Sequence, residues 1–189
     1  MSMTVLALLM ALTGDSVTLR QQKAVRTVAS VDLDRYLGTW YEVARLPNRF
    51  QRSCARDVTA TYAKRPDGRI DVVNRCRTEE GRTIEASGVA RVVDQSSARL
   101  KVRFAPAVLS FLSFVWGDYW VIGLADDYSW AVVGSPDRTY LWILARTPVP
   151  DAGLFEAGWA AARDNGFDVD RLAKTIHTVP SIEAGAVRP

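Results

Sequence analysis

Histidine is almost missing from this chain: there is one in 189 residues, His177. Cysteine is nearly as scarce, with only Cys54 and Cys76. So few of either exclude a His- or Cys-rich metal centre and a Cys-rich disulfide scaffold. No Gly-x-Ser-x-Gly elbow and no phosphate loop occurs, and no His accompanies a Ser or Cys on an extended run. No catalytic residue, metal ligand or cofactor site is therefore predicted. With no His on the strands, haem iron would lack an imidazole ligand. Neither charge sign dominates: 24 cations against 21 anions give +3, too small an excess to argue for nucleic acid as a partner. Lysine is sparse too, and Arg supplies most of the positive charge. Internal repeats and low-complexity segments are absent. What is present is an ordinary globular composition, 48% apolar and 24% charged, in a chain long enough to bury a core without staples.

The first residues, 1–14, include a stretch of about ten apolar residues, too short to cross a bilayer as a helix. It is like the h-region of an export signal, although no Lys or Arg precedes it. The alternative is a stretch belonging to the gene start and not to export. No Cys follows it, which speaks against a lipid anchor. The expectation is an exported chain, periplasmic or associated with an outer membrane, with residues 15–31 as a flexible leader.

From residue 38 the pattern becomes short extended runs punctuated by turns: Thr39–Arg45, Val58–Ala63, Ile70–Arg75, Thr83–Val93, Arg99–Phe104, Tyr119–Leu124, Trp130–Val133 and Tyr140–Arg146. Arg65-Pro-Asp-Gly68 is a hairpin turn, with Gly supplying positive φ. Arg99–Phe104 alternates without exception, Leu100, Val102 and Phe104 opposite Arg99, Lys101 and Arg103. Eight consecutive strands with no helix between them predict an all-β fold. It is an eight-stranded antiparallel up-and-down barrel, whose closure removes exposed edges; an open sandwich is the alternative. Three late runs are apolar on both faces and need a cover. A C-terminal α-helix packed outside supplies it: Asp151 caps it, Leu154, Phe155, Trp159 and Ala162 form a stripe, and Asn165-Gly166 ends it. Asp168–Val179 forms a last short element that packs back on the barrel.

Gly38-Thr39-Trp40 opens the first run and Arg146 closes the eighth. This pair, in the stretches GTWYEVAR (38–45) and PDRTYLWILARTP (136–148), resembles the lipocalin family, in particular the bacterial outer-membrane lipocalins and the apolipoprotein D-like group. Ala125-Asp-Asp-Tyr128 is a partial match to a third segment, with Ala125 where the family has a threonine. The resemblance implies a domain over 32–180, followed by a tail at 181–189. It also implies a structural role for Gly38, Trp40 and Arg146: the indole plugs the closed end and the guanidinium lies across it.

Alternation assigns inward faces to Val58, Ala60 and Tyr62; Ile70, Val72 and Asn74; Ala86, Gly88 and Ala90; Leu100, Val102 and Phe104; Trp142 and Leu144. Of these, Tyr62, Val72, Asn74, Ala86, Gly88, Val102, Phe104, Trp142 and Leu144 are the candidate ligand-binding residues. The fourth strand places only Ala and Gly inward over three positions, which leaves a void where a packed interior would want larger side chains; filling by Trp and Phe opposite is the alternative. The family has such a cavity, and an apolar one suits an acyl chain. About ten methylenes supply roughly 8 kcal/mol gross, reduced by association costs to about micromolar affinity. The function expected is binding and storage or transport of a fatty acid, phospholipid or lysophospholipid in the bacterial cell envelope.

At the rim, Arg49, Arg52, Arg56, Arg77 and Arg82 are head-group candidates, because Arg suits bidentate phosphate contacts; a merely solvated loop is the alternative. The apolar loop 105–116 is read as a lid, a membrane-touching surface or a homodimer contact, against folding inward to extend the sixth strand. Cys54 and Cys76 nearly face each other across the hairpin. They form a disulfide if the chain is exported and remain two thiols if it stays in the cytosol. Two rival functions use other features: a lipocalin-type enzyme with Glu42 as its interior base, or an interaction module using the 105–116 loop.

Overall fold

The computed structural model describes residues 23–178, so the apolar segment at 1–14 and the tail at 181–189 lie outside the described residues. Eight strands form the expected antiparallel ring: β1 (Gly38–Arg45), β2 (Arg56–Lys64), β3 (Ile70–Arg77), β4 (Thr83–Val92), β5 (Arg99–Arg103), β6 (Gly117–Leu124), β7 (Trp130–Gly134) and β8 (Leu141–Ala145). Each pairs with its neighbour in sequence, and β1 pairs with both β8 and β2, which closes the barrel. The hairpin at Arg65–Gly68 turns as expected, with Gly68 at φ +78°.

One end is sealed. A single helical turn, α1 (Leu33–Tyr36), lies across it, capped by the Asp32 carboxylate, which accepts from the Asp34 and Arg35 N–H groups. Trp40 is fully buried behind it and donates its indole N–H to the Tyr36 carbonyl at 2.8 Å. The Arg146 guanidinium sits 3.8 Å from the Trp40 ring centre and donates to the Thr39 and Arg35 carbonyls at 2.9 and 2.7 Å. Nearby, Arg35 lies over Tyr128 at 4.0 Å and donates to the Asp126 carbonyl, which gives the 125–128 segment its place in the closed end.

The opposite end collects the loops 46–55, 78–82, 104–116 and 135–140. Outside the wall, α2 (Ala152–Asp164) covers β6 and β7, as the apolar outer faces of those strands require. Asp151 caps it by accepting from the Leu154 N–H, and Gly166 ends it at φ +75°. The fit is close: a Cβ at Gly123 of β6 would fall 2.8 Å from the Ala161 methyl. The described part of the leader expected over 15–31 is packed on the barrel. Val25 and Val31 are buried, and Val28 and Val31 donate backbone bonds to Val121 and Ser96.

Two segments lie beyond the wall strands and α2. The 105–116 loop does not extend β6; it forms two short 3-10 turns at Ala107–Leu109 and Ser113–Val115, and β6 starts only at Gly117. The last short element expected over 168–179 does pack back on the barrel: a two-residue strand β9 (Ala173–Lys174) pairs with Ala44 and Arg45 of β1.

Candidate functional site

The floor of the lumen is built from Tyr62, Ile70, Val72, Leu100 and Val102, which were expected to face inward, and from Leu33 beside them. These side chains nearly fill the closed half, leaving about 20 Å³, room for one small group and not for an acyl chain. Leu144 is buried in the same closed-half core, so it is packing and not open wall. Three phenols meet on this floor. Tyr119 lies between Tyr36 and Tyr62, with hydroxyl–hydroxyl distances of 2.8 and 2.9 Å. Burial pushes the Tyr62 hydroxyl up to about 12, and it raises those of Tyr36 and Tyr119 further, so all three stay neutral.

Above the floor the wall changes character. Register pairs Val72 with Gly88, and Asn74 with both Ala60 and Ala86. Gly88 is half-buried under the Phe104 ring, while Ala86 is exposed. The Phe104 ring therefore covers Gly88, as filling by Phe would have it, and only Ala86 is left uncovered, at the shallow cup of the open half. The wall is also incomplete there. β5 pairs only with Val89–Val92 of β4, so among the described residues Thr83–Gly88 pairs with β3 alone. Phe104 lies just past the end of β5, beside this unpaired edge.

Across the lumen, Glu42 shares a face with Trp40, as alternation indicated, and is buried. Its carboxylate accepts from the Arg45 guanidinium at 2.8 Å, the Gln51 amide at 2.5 Å and the Thr175 hydroxyl at 2.5 Å. Gln51 accepts in turn from the Trp142 indole and the Asn48 amide, each at 2.8 Å. Trp142 thus faces the lumen and is held by this network. With its lone pairs engaged by three donors, Glu42 is a structural carboxylate holding the β1–β2 loop over the cup.

The mouth carries a recess of about 490 Å³ between the β1–β2 and β3–β4 loops, bordered by Arg52, Cys54, Glu79, Glu80, Arg82 and Ile84. Of the rim arginines, only Arg52 and Arg82 come together here, and Arg82 lies 3.6 Å from Glu80. Arg56 and Arg77 do not border the recess: they pair across β2 and β3 and share Asp57 at 3.9 and 3.6 Å, with the Arg56 guanidinium packed against Gly81 of the β3–β4 loop. Arg49 stacks on its neighbour Phe50. Cys54 and Cys76 form the disulfide, which ties the β1–β2 loop to the end of β3.

The 105–116 loop stands free beside the unpaired edge of β4. Phe111 is 79% and Phe114 80% exposed. Trp116 anchors its end on the outer wall between the Arg91 and Arg103 guanidinia, at 4.5 and 5.2 Å. Among the contributors that escaped sequence reasoning are Tyr36, Tyr119, Gln51 and Thr175. The phenols come from three elements with no common spacing. Only their inward parity, readable for Tyr119 beside Val121, hinted at a place in the lumen.

A family model described as a lipocalin-like domain matches residues 31–177. The chain is a lipocalin. It is 38% identical over 157 residues to temperature-induced lipocalin-1 of Arabidopsis thaliana, covering 82% of this chain and 84% of that protein. It is 40% identical over 152 residues to the outer membrane lipoprotein Blc of Escherichia coli K12, covering 79% and 81%. Mouse apolipoprotein D is 28% identical over 153 residues, covering 76% of each. The fold matches insecticyanin of the tobacco hornworm Manduca sexta, with a TM-score of 0.64, 18% identity, and coverage of 82% of this chain and 85% of that one. It also matches apocrustacyanin C1, with a TM-score of 0.63, 15% identity, and coverage of 79% and 81%. As a lipocalin, the chain falls in a family typically of binding proteins for hydrophobic ligands, not of enzymes.

Proposed function

We propose that this lipocalin binds and stores or carries a fatty acid, phospholipid or lysophospholipid in the bacterial cell envelope. The observation that carries the reading is the half-open wall of β4, whose Thr83–Gly88 stretch has no β5 partner among the described residues and leaves Ala86 exposed beside the Phe104 ring. The acyl chain lies in this upper cup, above the packed floor, among Asn74, Ala86, Phe104 and Trp142. The head group reaches the recess at the mouth, where Arg52 and Arg82 offer guanidinium donors. The unpaired edge of β4 gives the chain a lateral way in, next to the exposed apolar side chains of the 105–116 loop. That loop is the natural contact with a lipid surface, because exposed Phe at this density is costly in water. The envelope setting is carried over from relatives named outer membrane lipoproteins. An enzymatic role for Glu42 is disfavoured by its three committed hydrogen bonds.

The test is mass spectrometry of lipid extracted from purified protein, followed by titration with palmitate and lysophosphatidylcholine. A co-purifying acyl lipid and about micromolar binding are expected. Ala86→Trp fills the cup and is expected to weaken binding at least tenfold without unfolding the protein, since Ala86 is exposed and meets no packed neighbour. A protein that carries no lipid and ignores both ligands overturns the reading.

A further inference from the structure

The three floor phenols pose a counting problem. Each hydroxyl carries one proton, and the chain Tyr36–Tyr119–Tyr62 has two contacts. Two protons are spent in those contacts whichever way each bond points, and one is always left over. Among the described residues no backbone or side-chain acceptor takes it. Tyr36 and Tyr62 are more than nine-tenths buried, and all three phenols border the same 20 Å³ void. The rest of its lining is aliphatic: Leu33, Leu37, Ile70, Val72, Ala90 and Leu100 among them. An unspent donor in such surroundings costs free energy, and one oxygen of suitable size removes that cost.

We infer that the floor is a binding subsite for a neutral oxygen, a hydroxyl or carbonyl, carried at the buried end of the apolar ligand. This rests on the reading of the lumen as a ligand site and makes it more specific: the preferred cargo is an oxygenated chain or ring, not a plain saturated tail. The height fits. Val72 and Ala90 line the void, and the next positions up the wall are Gly88, under the Phe104 ring, and the uncovered Ala86, so a chain that passes Ala86 and runs beside Phe104 points its inner end at the phenols. A carboxylate is excluded as the buried group, because one spare donor among aliphatic side chains does not offset the loss of its hydration. Raised by burial, the phenols remain donors at neutral pH.

The experiment compares saturated fatty acids from lauric to stearic, each against its ω-hydroxy counterpart, by competitive displacement of a fluorescent fatty acid from the full chain. At the best-fitting length, the ω-hydroxy acid is expected to bind about five- to tenfold tighter than its parent, the worth of one buried hydrogen bond. In the triple variant Tyr36→Phe, Tyr62→Phe, Tyr119→Phe the preference is expected to invert, since the ligand hydroxyl then has no partner. If parent and ω-hydroxy acids bind the unmodified chain equally at every length, the oxygen subsite falls and the lipid-binding reading stands. If neither series binds, the lipid-binding reading itself falls. The comparison on the unmodified chain decides the matter even if the triple variant fails to fold.

Discussion

Trp40 shows what one side chain does when everything around it is chosen to hold it. Its ring is fully buried, its N–H is spent on the Tyr36 carbonyl, and its face carries the Arg146 guanidinium. Arg146 does two jobs with one planar group. It offers charge to the ring, worth ~0.5–2 kcal/mol, and its two terminal nitrogens donate to carbonyls on either side of the plug. Arg146→Ala removes all three contacts and strips the cover from the indole, so it is expected to lower unfolding free energy by about 2–4 kcal/mol. Arg146→Lys keeps the charge but loses the fork, and is expected to cost about half as much. Denaturant unfolding of both variants measures this; a loss below about 0.5 kcal/mol for Arg146→Ala would remove the structural role. Glu42, two residues from Trp40 on the same face, carries a different lesson. Its inward direction follows from strand parity alone, whereas its partners Gln51 and Thr175 lie in a loop and in the C-terminal segment, where no periodicity points to them.

The C-terminal segment packs back on the barrel as expected for 168–179, but the strand pattern carried no sign of its partners. β1 and β2 pair only as far as Tyr41 and Thr59, and beyond that point they diverge toward the mouth. β9 fills the seam along β1, and Ile176 makes a parallel bridge to Arg56, with the Asp57 N–H donating to its carbonyl. Asp57, at φ +55°, fastens the end: its carboxylate accepts from the Thr178 N–H at 2.6 Å and the Thr178 hydroxyl at 3.0 Å. Burial pushes this carboxyl up, but the two Thr178 bonds, with His177 and Arg77 adding positive charge, hold it below the ordinary 3.8. A carboxyl lowered on folding contributes stability that is complete above about pH 3.8 and is lost as pH falls through its folded value. Amide exchange in residues 173–178 is therefore expected to accelerate below about pH 3.8, ahead of the barrel strands, and Asp57→Asn is expected to abolish that step. Uniform acceleration across the barrel would show that the segment is not separately fastened. The sequence makes the eight wall strands legible because each buries one face against the lumen, and alternation records that. A two-residue strand buries too little to leave such a record. Rim residues suffer the opposite error: Arg56 and Arg77 sit near loop ends in the sequence, but β2 and β3 extend to include them and turn them outward.

At the scale of the whole molecule the barrel has a firm end and a loose one. The closed half combines the Trp40 plug, the aliphatic floor and the cover of α2 on β6 and β7, whereas the open half has an unpaired β4 edge and a seam closed by six residues of tail. Function needs this gradient, because a ligand has to enter somewhere, and elements that move are drawn from the least stable part of a fold. The Cys54–Cys76 disulfide sits in the loose half. It ties the β1–β2 loop, which carries Asn48 and Gln51 over Glu42, to the end of β3, across a sequence separation of 22. Closing a loop of that length constrains the unfolded chain by about 3 kcal/mol. The double variant Cys54→Ser, Cys76→Ser is thus expected to lose about 3 kcal/mol in denaturant unfolding and roughly 6–12 °C in melting temperature. The more telling measurement is where the loss shows. Amides around Trp40 and Val121 are expected to lose only the roughly 3 kcal/mol by which global unfolding becomes easier, whereas those of residues 46–57 lose more because their loop also opens locally, and lysolipid affinity is expected to fall because Cys54 borders the mouth recess. Equal loss of protection at both ends would mean that the barrel opens as one unit, and the division into a firm floor and a loose mouth would have to be abandoned.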